Sequence, residues 1–553
     1  MLLCALCLCM PLGAVAQVAI PNSADISRIK PEEHIPSLSH TNDGKISIPS
    51  GKGAAPVPDE AKRVKLTLKS LKIIGATVYA PAELDALYAT NIGKDITLDA
   101  VYKTASAITE KYRNDGYFLS RAFVPEQEIE DGNVTIRVVE GYVGAVDGTS
   151  TFADSAIVND AIERLTHKRP LTSDDIERFL LLLDDLPGYE FGGTLSPLED
   201  APDGAVKLTL TVKETQGTGS INFDNHSSRF LGPNEISASY SKSFIPFQQT
   251  TISALSDVDR TKLRYGTIDH SIALSTDMKL NIAGGVTQAM PGYSLESSEI
   301  DSISIFASIA LNYQLLRTRQ QNLGLKACVD GRDVKSDILG APLTRDYIRA
   351  FRASANYDLA DGWHGFNNAT ITLAHGVDWL GSSHPNDLNL SRIGALPDFT
   401  KGELSLSRLQ SITQDWSVLI AGEGQWASGV LYSSEQFGYG GQNFGRAYDS
   451  SDITGDHGIK GSVEMRYGGW TGERMVNLQP YVFYDIGKVW NEAVGQPSNI
   501  SASTAGIGLR FNTQWKQSGN LGVAFPLDRD ITTPIYGSGE RGPRFILQIS
   551  QQF

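Results

Sequence analysis

From Gly217 to Phe553 apolar and polar residues alternate with a period of two, in segments of about ten to fourteen residues separated by turn residues. In GNLGVAFPL, Leu521, Val523, Phe525 and Leu527 take one face, and Asn520, Gly522, Ala524 and Pro526 the other. In DWSVLIAGEGQW, Trp416, Val418, Ile420, Gly422 and Trp426 oppose Leu419, Ala421, Glu423 and Gln425. Successive strand side chains point to opposite faces, so each segment predicts a strand with one apolar, aromatic-ended face and one small or polar face. That is the pattern of a membrane β-barrel, with lipid outside and water inside. A soluble antiparallel sandwich also alternates, but its apolar faces must meet in pairs, and it seldom runs on for roughly 335 residues. Closure into a barrel removes the sheet edges that no spanning strand can leave unpaired in lipid.

The segments predict strands over 218–229, 233–245, 248–257, 260–276, 278–290, 300–315, 320–335, 344–359, 366–380, 398–412, 415–428, 458–468, 477–491, 501–513, 517–527 and 543–553. That makes sixteen, an even number as bacterial barrels require. The barrel is assigned to 215–553, and connections from odd to even strands are external, which makes 429–457 the sixth external loop.

Upstream, the period changes to that of helices, and one pattern occurs twice. The first unit, 63–141, reads as the strand VKLTLKSLKII, the helical PAELDALYA and TLDAVYKTASAITEKYRNDGY, then the strands YFLSRAFV and NVTIRVVEG. Val101, Ala105, Ile108 and Tyr112 form an apolar stripe at spacings of three and four, and Gly116 suits a C-cap. The second unit, 142–214, repeats the order with YVGAVDG, SAIVNDAIERLTH, LTSDDIERFLLLLDDL, YEFGGTL and AVKLTLTVKE. Each copy can cover one sheet face with two helices.

The first seventeen residues, MLLCALCLCMPLGAVAQ, form an apolar core ending in Ala14-Val15-Ala16, the small-x-small form of a signal-peptidase site, so 1–16 reads as an export signal. It lacks a Lys or Arg before the apolar core. Cys4, Cys7 and Cys9 lie within it, which leaves Cys328 alone in a processed chain and no internal disulfide. Residues 17–62, rich in Pro, Ser, Gly and charge, read as a mobile linker, with Ser23–Glu33 a candidate short plug helix interrupted by Pro31. Beyond the N-terminus no run approaches the roughly 18–20 apolar residues of a membrane helix. The net charge of -15 argues against nucleic acid as a partner.

The tandem units resemble POTRA domains, the periplasmic modules in front of outer-membrane assembly and secretion barrels. The last strand, RFILQISQQF, puts Phe545, Leu547, Ile549, Gln551 and Phe553 on one face, and this resembles the terminal signal by which outer-membrane barrels are recognised for insertion. The stretch GYGGQNFGRAYDSSDITGDHG resembles the sixth loop of the two-partner secretion transporters, the haemolysin secretion/activation and filamentous haemagglutinin transporter family. Those carry Val/Ile-Arg-Gly-Tyr followed by Gly-Asp-x-Gly. Here the tetrad reads Gly445, Arg446, Ala447, Tyr448, departing at its first and third positions, and the second motif is Gly455, Asp456, His457, Gly458. The family's inner-wall Phe-x-Asp-x-Gly motif is present as Phe483, Asp485 and Gly487.

Alternation supports that last assignment independently. Val482, Tyr484, Ile486 and Trp490 form the lipid face, so Asp485 faces the lumen; a carboxylate in lipid would cost roughly 3 kcal/mol. The resemblance implies that Arg446 pairs with Asp485 and pins the loop inside the pore, a geometry for which the planar guanidinium fork suits both carboxylate oxygens. Alanine at 447 in place of glycine removes backbone freedom in the loop.

The expected fold is therefore two α+β POTRA domains followed by a 16-stranded antiparallel transmembrane β-barrel. The resemblance implies an outer-membrane transporter that secretes a large TpsA-type exoprotein, with the POTRA units in the periplasm. It implies a monomeric barrel inserted by the barrel assembly machinery, with outer-membrane lipid around it. A neighbouring function is an assembly insertase, although two POTRA units rather than three to five favour secretion. A passive porin would leave 64–214 without a task, and a smaller protein passenger changes only the substrate. No enzyme and no cofactor are expected: there is no Walker-type loop, no His-Glu-x-x-His, no Cys pair beyond the export signal that suggests a metal and no Gly-x-Ser-x-Gly elbow. Asp174-Asp175 and Asp184-Asp185 read as helix-start and solvated-face acids.

Overall fold

The computed structural model describes residues 20–28, 46–47, 57–148, 152, 154–385, 387–470, 472, 475–531 and 541–553. The export signal at 1–16 and most of the linker lie outside these residues. Sixteen antiparallel strands close into one barrel, each paired with its sequence neighbour. They are β1 (Thr218–Asp224), β2 (Glu235–Lys242), β3 (Gln248–Asp257), β4 (Leu263–Ala273), β5 (Met278–Ala289), β6 (Ile300–Arg317), β7 (Gln321–Ile338) and β8 (Ala341–Ala360). Then follow β9 (Gly365–Gly376), β10 (Thr400–Ser411), β11 (Trp416–Ala427), β12 (His457–Tyr467), β13 (Met475–Trp490), β14 (Asn499–Thr513), β15 (Gln517–Pro526) and β16 (Arg544–Gln552). The expected strands all form, most with ends displaced by a few residues.

The two faces divide as alternation requires. Ile252, Ile268, Ile305, Ile309, Ile420 and Ile486 project outward, whereas Thr287, Ser302, Ser304, Ser462 and Thr504 are buried inside. In solvent such an apolar exterior would be costly; in lipid it is the required surface. Strands of 18, 18 and 20 residues at β6, β7 and β8 exceed the roughly 9–11 needed to cross a bilayer, so these hairpins project beyond it. The closing seam is short. Ser220 to Asp224 pair with Gln552 to Gln548, and beyond them Asn225 spans to β16, donating to the Phe545 carbonyl (2.9 Å) and accepting from the Leu547 N–H (2.8 Å).

The first α+β unit carries a sheet of 70–74, 133–139 and 121–123, covered by α1 (Pro81–Asp85) and α2 (Leu98–Asn114). Its first strand, expected to run unbroken over 64–74, divides into 65–67, which pairs with 95–97, and 70–74, which joins the main sheet. The expected α2 stripe is buried: Val101, Ala105, Ile108 and Tyr112 pack on Val134, Ile136 and Val138. The second unit has α3 (Ala156–Thr166) and α4 (Ser173–Asp184) over a sheet ordered 46–47, 189–197, 205–214, 142–147. Thr172 and Asp175 make a capping box at the start of α4.

This second unit docks on the turns at one end of the barrel. Asp185 accepts two hydrogen bonds from Arg317 (2.7 and 2.9 Å), Lys279 donates to the Asp185 carbonyl (2.6 Å), and Arg178 to the Gln314 carbonyl (3.1 Å). Phe247, in the turn after β2, enters the aromatic cluster of Phe152, Tyr189 and Phe191. Asp185 is thus a docking residue and not the solvated-face acid its helix position suggests, because the barrel covers that helix end. Nor does the linker stay free where it is described. Residues 46–47 add in parallel to 189–197, and Asn22–Ala24 and Ile26–Arg28 form two 3-10 turns where a short helix is expected over 23–33, residues 29–33 of which lie outside the described ones.

Within the first unit, Glu140 accepts from the N–H groups of Thr77 (2.7 Å) and Val78 (3.2 Å) and from the Tyr112 hydroxyl (2.7 Å). Burial alone would raise its carboxyl, but the bonds from Thr77, Tyr112 and Val78 outweigh it and hold it below the usual carboxylate range. A depressed carboxylate contributes stability that is complete above its unfolded pKa, about 4.3, and that disappears as pH falls through the folded value. Hydrogen exchange in the intact chain should therefore show α2 losing protection below about pH 4.3, with Glu140→Gln flattening that dependence.

Candidate functional site

Between β11 and β12 the chain does not remain outside; it turns back into the lumen. A 3-10 turn at Ser433–Glu435 leads into a hairpin that pairs Phe437–Tyr439 with Ile453–Gly455. The hairpin's aromatic side chains make it dense enough to hold its shape. Tyr439, Phe444 and Tyr448 pack with Val489 and Ala502 of the wall. Gly487 makes this approach possible, because a Cβ there would lie 2.2 Å from the Tyr439 ring. Gly458 faces the Phe437 ring in the same way.

The tip of the hairpin carries Arg446, which is only 8% exposed. Its Nε and Nη2 donate to the two oxygens of Asp485 at 3.1 and 3.0 Å. The carboxylate also accepts from the Gly445 N–H (3.1 Å), the Arg446 N–H (3.3 Å), Ser462 Oγ (2.7 Å) and Thr504 Oγ1 (3.2 Å). The guanidinium lies 3.6 Å from the Phe483 ring centroid, a cation–π contact that assigns the motif phenylalanine its part. All three inward motif residues of β13 therefore touch the loop.

The tetrad's departures have a structural reason. Gly445 has φ +74°, and a Cβ there would meet the Tyr439 ring at 2.7 Å, so this loop needs glycine where the family pattern has a β-branched residue. Ala447 lies outside the left-handed region, and its methyl is buried against Tyr481, Phe483, Ala524 and Ile546. Alanine at 447 therefore fits the seated loop, and the backbone freedom is used two residues earlier. Tyr448 donates to the Arg529 carbonyl at 2.9 Å. On β16, Phe545, Ile549 and Phe553 project outward, Leu547 is half-buried on the same face, and Phe553 exchanges two backbone hydrogen bonds with Gly219 (3.0 Å each).

Sequence reasoning missed several partners. Arg446 Nη1 also donates to Glu464, which in turn binds Arg510 (2.6 and 3.1 Å) and Arg466 (2.7 Å). The signal was available in part: Ser462, Glu464 and Arg466 alternate with the outward Val463 and Met465, so all three face inward. Other buried pairs hold the loop elsewhere. Glu435 meets Arg352 (2.8 Å) and Lys401 (2.9 Å), Asp449 meets Arg544 (2.6 Å), and Asp456 meets Arg392. The turns at 22–28 fill the space beside it. Arg28 donates to Gln436 (2.7 Å), Arg332 to the Ser27 carbonyl (2.8 Å), and Ala24 and Ile26 pack on Phe230 and Leu231. Beneath them remains a cavity of about 310 Å³ lined by Ser220, Asn222, Ser237 and Ser239.

Among known proteins, residues 288–511, which include the infolded loop and both halves of the pair, match the family of haemolysin secretion/activation proteins ShlB/FhaC/HecB. Residues 288–511 thus form a ShlB/FhaC/HecB family domain. The chain's first α+β unit matches the ShlB-type POTRA domain over residues 66–141. The chain is 23% identical to the heme/hemopexin transporter protein HuxB of Haemophilus influenzae strain 86-028NP over 483 residues, covering 81% of each chain. It is 21% identical to the outer membrane transporter CdiB of Dickeya dadantii, over 83% of each. The solved structure of CdiB from Escherichia coli shares the fold, with a TM-score of 0.72 at 18% identity, covering 90% of this chain and 92% of that one. A closed sixteen-stranded barrel that carries this domain is an outer-membrane transporter.

Loss of Arg446 removes the cation that reaches Asp485, whereas Glu464 still has Arg466 and Arg510. Breaking a buried pair from one side costs about 3–5 kcal/mol because the other charge is left behind. Arg446→Ala should therefore strip exchange protection from the loop amides while the barrel keeps its heat-modifiable migration. Arg446→Lys, with a single donor head, should fall between the two; a loop equally protected in all three would show that the pair does not seat it.

Proposed function

We propose that the chain secretes a large TpsA-type exoprotein across the outer membrane, and that Arg446 and Asp485 form the lock that holds the sixth loop in the pore at rest. The single observation that carries this reading is the filled lumen. A hairpin seated through a buried ion pair, with the 22–28 turns beside it, stands in the path through the barrel. A passive porin would gain nothing from such an obstruction, whereas a conduit used only when its passenger is present needs one.

Both α+β units, the second read as a further POTRA domain, stand in the periplasm at the turn side of the barrel. Capture there requires no chemistry: an extended passenger adds to a sheet edge by backbone pairing, which tolerates many side chains. The barrel works as a monomer, is inserted by the barrel assembly machinery through the Phe545–Phe553 face, and catalyses no reaction. Because desolvation offsets much of the attraction in a buried pair, the lock's contribution is to specify one loop position that transport can undo. The insertase alternative shares the lock, but the family match and the two units favour secretion.

The test is export of the candidate passenger by wild type, Arg446→Ala and a deletion of 64–214, each checked for outer-membrane residence. Passenger should reach the medium with wild type, fall several-fold or more with Arg446→Ala, and be absent with the deletion. Equal export by all three would overturn the proposal.

A further inference from the structure

The second loop motif, Gly455-Asp456-x-Gly458, has no part in the Arg446 site, yet Asp456 is fully buried. Its carboxylate gathers three external loops. Arg392, in the fifth loop between β9 and β10, reaches both oxygens, with Nη2 on Oδ2 at 3.0 Å. The Leu431 N–H, at the root of the sixth loop, donates to Oδ1 at 2.9 Å. The Glu492 N–H, in the seventh loop between β13 and β14, donates to Oδ2 at 2.9 Å. Arg392 is itself only 10% exposed and also donates to the Leu431 carbonyl at 2.8 Å.

Around this point the fifth loop is drawn into the barrel mouth. Leu390, Ala395 and Phe399 pack with Leu431 and Tyr432, the Ser391 N–H donates to Asp346 (2.9 Å), and the Ser433 N–H donates to Ser391 Oγ (3.1 Å). None of these groups belongs to the cluster of Asp485, Glu464, Ser462 and Thr504 that holds Arg446.

We propose that Asp456 is a second, outer clasp, which ties the fifth, sixth and seventh external loops into one cover, with Arg392 as the positioning residue that closes it. A bidentate guanidinium–carboxylate pair is both strong and directional, so it fixes the fifth loop against the sixth in one arrangement. The two backbone N–H groups would hold the carboxylate to the sixth and seventh loops without Arg392, so loss of the arginine frees the fifth loop alone. Asparagine at 456 does more damage. It replaces an acceptor oxygen by an NH₂ that faces other donors. The cover is therefore fastened in two ways, to the barrel wall by Arg446 and the other buried pairs of the sixth loop, and across the loops by Asp456.

Ion conductance of the purified full chain in planar bilayers reads the cover without any passenger, so its outcome is separate from that of the secretion assay. Asp456→Asn and Arg392→Gln should each raise the open probability by about tenfold or more, as expected for a broken buried pair, with heat-modifiable migration retained. Combined with Asp485→Asn, the effect of Asp456→Asn should multiply, since separate fastenings add in free energy. Where Asp456→Asn fails to fold, Arg392→Gln decides alone. Unchanged open probability in a folded variant, or a double variant no more open than Asp485→Asn alone, would overturn the proposal.

Discussion

The structure depends on one constraint: within hydrocarbon, no backbone N–H or carbonyl can be left without a partner, so a spanning sheet must close on itself. Here closure takes sixteen strands and ends at the pairing of β1 with β16, extended past the ladder by the Asn225 side chain. A ring of that size encloses more space than its inward side chains can fill. The polar, small-residue lining then leaves a lumen to be occupied by something other than the wall.

The sixth loop and the 22–28 turns supply that filling, and charge decides where they sit. Apolar contacts such as those of Tyr439 and Tyr448 give the hairpin density, but they tolerate small shifts. A bidentate pair does not, and the described contacts place Arg446, Glu435, Asp449 and Asp456 each against a different part of the wall or its loops. Pairs of this kind need add little net stability, because both charges lose their water. Their effect is positional: each fixes one arrangement of the loop against the wall or against its neighbours.

At the opposite end of the barrel the same logic fixes the second α+β unit. Asp185 and Arg317 join it to the end of β6, while Phe247 inserts from the turn after β2 into the unit's own core. Ion pair and aromatic plug act on separate hairpins, so together they limit rotation as well as translation. The unit thus stands in a defined position below the lumen, joined to the linker strand at 46–47 and, through the hydrogen bond from the Ser173 N–H to the Gly116 carbonyl (2.9 Å), to the first unit.

What the chain reveals without its structure is what depends on local periodicity. A period of two forces faces apart, so the barrel, the number of its strands, the outward side of β16 and the inward aim of Asp485 were all legible, as was the buried stripe of α2. Glu464 was legible as an inward acid but not as a partner of Arg446, since the two meet only when the loop folds back. The role of Asp185, the two 3-10 turns at 22–28, the glycine requirement at 445 and the gathering of three loops on Asp456 were not legible at all. Gly445 answers to Tyr439 across its own hairpin; the others rest on groups brought together by the closed barrel, up to 430 positions apart in the case of Asn22 and the Asp452 carbonyl. Strand patterning is written within a few neighbouring residues, whereas the choice of partner is made in space, after the ring has closed and its interior has to be filled.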